Sequence, residues 1–174
     1  MIFKPVAWAV VFAPLAILAG LSPVLAQTPE PTELGKFGDW AAYTYKTQGG
    51  KVCYISSQPK VQTPKNAKRD PAFLLITHRP GQSVHNEVST IIGYPFKKDA
   101  TVQLTVDTQD YELFTNGDGA WADTTAKDKE IVDAMRKGQT LTIKGASWRG
   151  TETLDSYSLK GLVQALAKID AACK

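Results

Sequence analysis

Along most of this chain hydrophobic and polar residues alternate with a period of two, the spacing of strands that bury one face. "TVQLTV" is the clearest case, with Val102, Leu104 and Val106 on one side and Thr101, Gln103 and Thr105 on the other. "FGDWAAYTY", "KVCYISS", "NEVSTIIGYPF", "YELFT", "AWAD", "TLTIKG" and "TETLDSYS" are further strand-like runs, and the unbroken apolar run of "AFLLIT" predicts a strand covered on both faces. Turn signals separate them at Gly49-Gly50, "DTQD", "NGDG" (Asn116 to Gly119) and Arg149-Gly150.

Two stretches switch to helical spacing. "TAKDKEIVDAMRKG" predicts a helix with Thr125 as N-cap, Asp128 in the capping-box position, Ile131, Val132 and Met135 on the buried side and a stop at Gly138. "SLKGLVQALAKIDAACK" predicts a terminal helix capped by Ser158. The whole pattern predicts a mainly β, single-domain sandwich or barrel of about eight or nine short strands, with two helices and the C-terminal one pinned across the sheet.

The N-terminus breaks the alternation. After Lys4 an apolar run extends from Val6 to Leu25, and Val24 and Ala26 occupy the small-residue positions of a cleavage site. Pro14, Gly20, Ser22 and Pro23 interrupt the run and a polar, Pro-rich stretch follows, so residues 1–26 read as a secretory signal rather than a membrane anchor. No cysteine stands at the cut, which argues against a lipoprotein. "QTPEPTELG" (27–35) reads as a flexible leader and 36–174 as one β-rich domain.

Export changes the meaning of the cysteines. The chain has two, and in an oxidising compartment an even pair usually forms a disulfide. At 100° per residue Leu162, Leu166, Ile169 and Cys173 fall within about 60° of one another, so the Cys173 sulfur lies on the apolar stripe. Strand alternation puts Cys53 on the same face as Ile55. A Cys53–Cys173 bridge is therefore expected, closing a loop worth about 4–5 kcal/mol in the chain-entropy model and fixing a tail that would otherwise fray.

Charge adds little. Twenty basic and 17 acidic residues, a net of +3, do not indicate a nucleic-acid partner. The densest basic stretch, "PKNAKRD" with Lys65, Lys68 and Arg69, reads as a solvated loop.

Complete catalytic constellations are missing. "GASWRG" lacks the spacing of a nucleophile elbow, and both cysteines are assigned to the disulfide. His78 and His85 lack a third zinc ligand and are separated by a Pro-Gly turn. "FTNGDGAWADTT" fails as a calcium loop at positions one and twelve, and "GDGAWA" lacks the helix a dinucleotide site requires. Asp107, Asp110, Glu112, Asp118 and Asp123 read as turn-forming acids rather than a glycosidase pair. No catalytic residue, metal or cofactor is assigned. Trp40, Trp121, Trp148, Tyr94 and Tyr157 could together form a binding surface, but core or half-buried packing is the favoured reading for each. The candidate interaction face is the turn segment "SWRGTETLDSY", with Trp148, Arg149, Asp155 and Tyr157.

The blocks "FGDW", "ITHRP", "NEVSTIIGYPF", "ELFTNGDGAW", "AMRKG", "KGASWRGTETLDSYSLKG" and "ALAKIDAAC" together resemble the invasion-associated locus B family of exported alphaproteobacterial proteins, from Phe37 to Cys173. Trp148 departs from the small or polar residue expected there. The resemblance implies a β-rich domain in the periplasm, associated with the outer membrane or secreted, and in pathogenic members a part in host-cell invasion. It implies no catalytic residues. The expected function is that of a non-enzymatic envelope interaction module whose partner is an envelope or host protein, with peripheral membrane association compatible. The alternative is a periplasmic small-molecule or glycan binder.

Overall fold

The computed structural model describes residues 30–174, so the predicted signal segment lies outside the described residues. Eleven strands form one antiparallel sheet: β1 (Thr32–Phe37), β2 (Trp40–Thr47), β3 (Gly50–Ser57), β4 (Val61–Thr63), β5 (Phe73–Arg79), β6 (Val84–Ile91), β7 (Thr101–Val106), β8 (Gln109–Asn116), β9 (Gly119–Trp121), β10 (Thr140–Ala146) and β11 (Glu152–Ser158). Helix α1 (Thr125–Met135) precedes β10, and α2 (Leu162–Ala172) ends the fold. The sheet order is β1-β2-β3-β5-β6-β9-β8-β7-β10-β11-β4. Among the described residues no helix is long and apolar enough to cross a membrane.

The mainly β class with two helices is as expected, but the strands are more numerous and belong to a single sheet. The added strands are those with the weakest local signal. Thr32–Phe37 covers residues assigned to the leader, yet it pairs with β2 through Glu33↔Tyr43 and Gly35↔Ala42, with a bulge between. Val61–Thr63 immediately precedes the basic stretch 64–70 and adds to the far edge of the sheet beside Leu154–Ser156. Both gain from a neighbouring strand what their own sequences do not supply.

The sheet rolls until strands near its opposite edges touch. Trp40 Nε1 at the start of β2 donates to the Ser158 carbonyl at the end of β11 (3.0 Å), and the Asp39 amide donates to the Lys160 carbonyl (2.9 Å). Gly161 makes this closure possible: its φ is +94°, and a Cβ there would lie 1.8 Å from the Phe37 carbonyl oxygen.

The rolled sheet encloses one core. Val102, Leu104 and Val106 are buried as their alternation predicts, with Trp40, Ile55, Leu74, Ile76 and Ile143. Helix α2 covers β1, β2 and β3 and buries Leu162, Ala165, Leu166 and Ile169. Cys53 and Cys173 form the disulfide, with Cα atoms 6.0 Å apart across 120 positions. It ties the last turn of α2 to the interior of the sheet.

The helix caps differ from the predicted ones. Thr124 rather than Thr125 caps α1, its hydroxyl accepting from the Lys127 amide at 3.2 Å. Asp128 turns inward and accepts from the Val88 amide of β6 at 2.8 Å. Burial pushes its carboxyl up to about 6. Ser158 ends β11, and Gly161 occupies the N-cap of α2 without a side-chain hydrogen bond.

Candidate interaction cleft

Alternation along β11 sends Thr153, Asp155 and Tyr157 inward and Glu152 and Leu154 outward. Two of the four residues expected on the interaction face are therefore buried: Asp155 is fully enclosed, and Tyr157 keeps 2% of its surface. Burial, followed by the negative Asp155, raises the Tyr157 hydroxyl above the usual tyrosine range. Asp155 instead binds Arg69, which the basic loop 64–71 inserts into the fold. The Arg69 guanidinium donates through both terminal nitrogens to the two Asp155 oxygens, one bond measuring 2.9 Å, and also reaches the Ile92 carbonyl at 3.2 Å. Its side chain is 4% exposed, so this is a bidentate ion pair inside the protein.

Above that pair lies an open cleft of about 790 Å³ between the 66–70 loop and the 147–151 turn, with Gly93, Tyr94 and Pro95 along its floor. Trp148 keeps 59% of its surface in solvent. The Arg149 guanidinium lies 4.7 Å from the centre of its ring, a cation–π arrangement. Tyr94 donates to or accepts from the Thr153 hydroxyl at 2.5 Å, and burial raises its own hydroxyl above the usual range. Gly93 sets the width of the cleft: at φ +82° its Cβ would fall 2.0 Å from the Asp70 carbonyl, and its own carbonyl accepts from the Asp70 amide at 2.9 Å. The structure thus joins two features widely separated in the chain, the basic loop and the Trp148-Arg149 turn. Among the described residues neither Lys68 nor Arg149 forms an ion pair, although both are exposed.

A second polar cluster joins the two histidines. β5 and β6 flank a 3-10 turn at Pro80–Gln82, and their register shifts between Thr77 and Arg79. This bulge, with Asn86 at φ +62°, sets the His78 and His85 rings face to face with centroids 3.9 Å apart. Asp170 of α2 completes a trio whose potential ligand atoms lie within 4.8 Å of one another. The hydrogen bonds around His78 fit an imidazole clamp better than a metal centre. A backbone amide can only donate, so Nδ1 accepts from Asn86 (3.1 Å), and Nε2 must then carry the proton given to Asp170 Oδ1 (2.9 Å). The neutral ring has no lone pair left for a cation. His85, the exposed member, is held below its usual pKa chiefly by desolvation. Sequence spacing gave one signal for this pair, since residues flanking a tight turn become cross-strand neighbours, but the Pro-Gly turn read instead as a barrier between them.

A family model described as invasion associated locus B (IalB) protein matches residues 40–170. The chain belongs to the invasion-associated locus B family. Among solved structures, this IalB-family chain is similar to invasion associated protein B from Bartonella henselae, at 18% identity and a TM-score of 0.55, over 84% of this chain and 98% of that one. At that identity the likeness concerns the fold. No curated protein matches the chain.

Proposed function

We propose that this IalB-family protein is an exported, non-enzymatic interaction module of the cell envelope, periplasmic or surface-associated, which binds its target through the cleft beside Trp148. In a host-associated bacterium this binding contributes to invasion. The observation that carries the reading is the convergence of an exposed indole and two unpaired cations on a backbone locked from below by Arg69–Asp155. An exposed aromatic among charges on a rigid support is the usual anatomy of a binding hot spot. The disulfide and the signal-like N-terminus support export. The engagement of both cysteines and of both His78 nitrogens supports a non-catalytic role.

The test is binding of purified protein to isolated envelope fractions and to host-cell surfaces. Saturable binding is expected, weakened about tenfold or more by the Trp148→Ala/Arg149→Ala double variant. Equal binding by the double variant would overturn the reading, as would a turnover activity that persists through stringent purification.

A further inference from the structure

The cleft also indicates what it binds. We infer that its ligand is an acidic saccharide, a sugar chain carrying carboxylate or phosphate groups; this rests on the assignment of the cleft as the binding face. Three observations lead there.

The first is charge. The side chains lining the cleft include Lys68, Arg69 and Arg149 but only one acid, Asp70. Arg69 is neutralised by Asp155 beneath it, whereas Lys68 and Arg149 are exposed. The unspent positive charge favours an anion, and a guanidinium pairs a carboxylate or phosphate through two donors.

The second is the state of the backbone. A peptide ligand is commonly held by main-chain hydrogen bonds to a free strand edge or loop. Here the amides of Trp148, Gly150, Asp70 and Ala67 are already engaged, donating to the carbonyls of Pro95 (3.0 Å), Ser147 (2.7 Å), Gly93 (2.9 Å) and Pro64 (3.2 Å). The lining residues at 66–70, 93–95 and 147–151 belong to no strand, so the cleft offers no strand edge and recognition rests chiefly on side chains.

The third is the kind of side chain. Asn66, Asp70, Thr151 and Lys68 offer donors and acceptors beside the large exposed indole of Trp148. A pyranose ring presents an apolar C–H face to an aromatic surface and hydroxyls around its rim, so it uses both. A glutamate or aspartate side chain would use only the charge. The cleft, about 790 Å³, is large enough for two or three sugar units.

The experiment is titration calorimetry at low salt, using the full exported chain with its disulfide intact. The probes are tetragalacturonate, its fully methyl-esterified form, a glucose phosphate and tetraglutamate. Tetragalacturonate is expected to bind, to lose about tenfold on esterification, and to lose about tenfold again in Trp148→Ala or in Lys68→Ala/Arg149→Ala, with Lys129→Ala unchanged as a distant surface control. Binding should also weaken as salt is raised. Glucose phosphate binding comparably per charged group would assign the anion to phosphate; preference for the uronate would assign it to carboxylate. Either outcome supports an acidic saccharide. Tetraglutamate binding as tightly as tetragalacturonate, esterified probe binding as tightly as the acid, or no binding by any saccharide would overturn the inference. The envelope-binding assay reports separately: if it still depends on Trp148 and Arg149 while every saccharide fails, the cleft is a binding face for another chemistry, and if it too is insensitive, both readings fall.

Discussion

The histidine clamp and the Trp148 cleft are both polar places where distant parts of the chain meet, but they use their polar groups in opposite ways. Around His78 the ring nitrogens, the Asp170 carboxylate and the end of α2 are spent on one another, and Lys51 Nζ adds a bond to the Ala172 carbonyl at 2.6 Å. The disulfide lies next to them, since Cys53 pairs in register with His78 and Cys173 follows Asp170 by one helical turn. At the cleft only the floor is saturated, by Arg69 and Asp155, while the rim keeps an indole, an ammonium and a guanidinium facing water. Internally satisfied polar clusters hold a fold together. Those left facing water are available to a partner.

That contrast predicts a graded set of outcomes. The largest effect should come from replacing both cysteines with serine, which removes a 120-residue cross-link and should cost about 4 kcal/mol in denaturant unfolding, with faster amide exchange in α2. Thiol labelling of the protein purified without reductant should find no free sulfhydryl. Next, Arg69→Met strands a buried carboxylate and should cost about 3 kcal/mol, much of it recovered in the Arg69→Met/Asp155→Leu pair; a neutral single variant would mean that the cleft floor is not locked.

His78→Phe keeps the ring volume but leaves the Asn86 amide without its acceptor and Asp170 without a donor, for a loss of about 1–2 kcal/mol. If His78→Phe is instead stabilising, the cluster is not a clamp and a ligand role for it should be sought.

Asp128 supplies a pH signature. Its folded pKa, about 6, lies above the ordinary value near 4, so the folded state binds the proton more tightly. Its stabilising contribution is complete below about pH 4 and is lost as the pH rises through 6. Thermal unfolding should therefore show a step of on the order of 2 kcal/mol across that interval, absent in Asp128→Asn. Asp107 acts in the opposite sense and at lower pH: hydrogen bonds chiefly from the Thr140 backbone hold its carboxyl below the usual range, and the support it gives is lost only as the pH falls below about 4. The smallest effect on stability is expected from Trp148→Ala, under about 1 kcal/mol, although the same change should abolish most binding.

Much of the architecture was legible locally. The period-two runs located β7, β10 and β11, helical spacing located both helices, and the combination of strand parity at Cys53 with the α2 stripe at Cys173 predicted the disulfide. Local reading failed where a segment takes its conformation from a neighbour. Thr32–Phe37 and Val61–Thr63 are strands because an edge was available to pair with, and their own residues do not say so. The candidate site was half legible. Trp148 and Arg149 were placed at a turn, where the structure leaves both exposed, but counting alternate positions along β11 would already have turned Asp155 and Tyr157 inward.

The sequence by itself determined the class of fold and the pairing of the cysteines, because periodicity and spacing act over a few residues and need no knowledge of what lies opposite. Only the tertiary structure decided that Arg69 dives beneath Trp148 to meet Asp155, and that two histidines across a tight turn stack beside a helix more than eighty positions away. Those meetings depend on how far the sheet rolls and where one bulge shifts its register. Such geometry arises from the packing of the whole core rather than from any short stretch of residues.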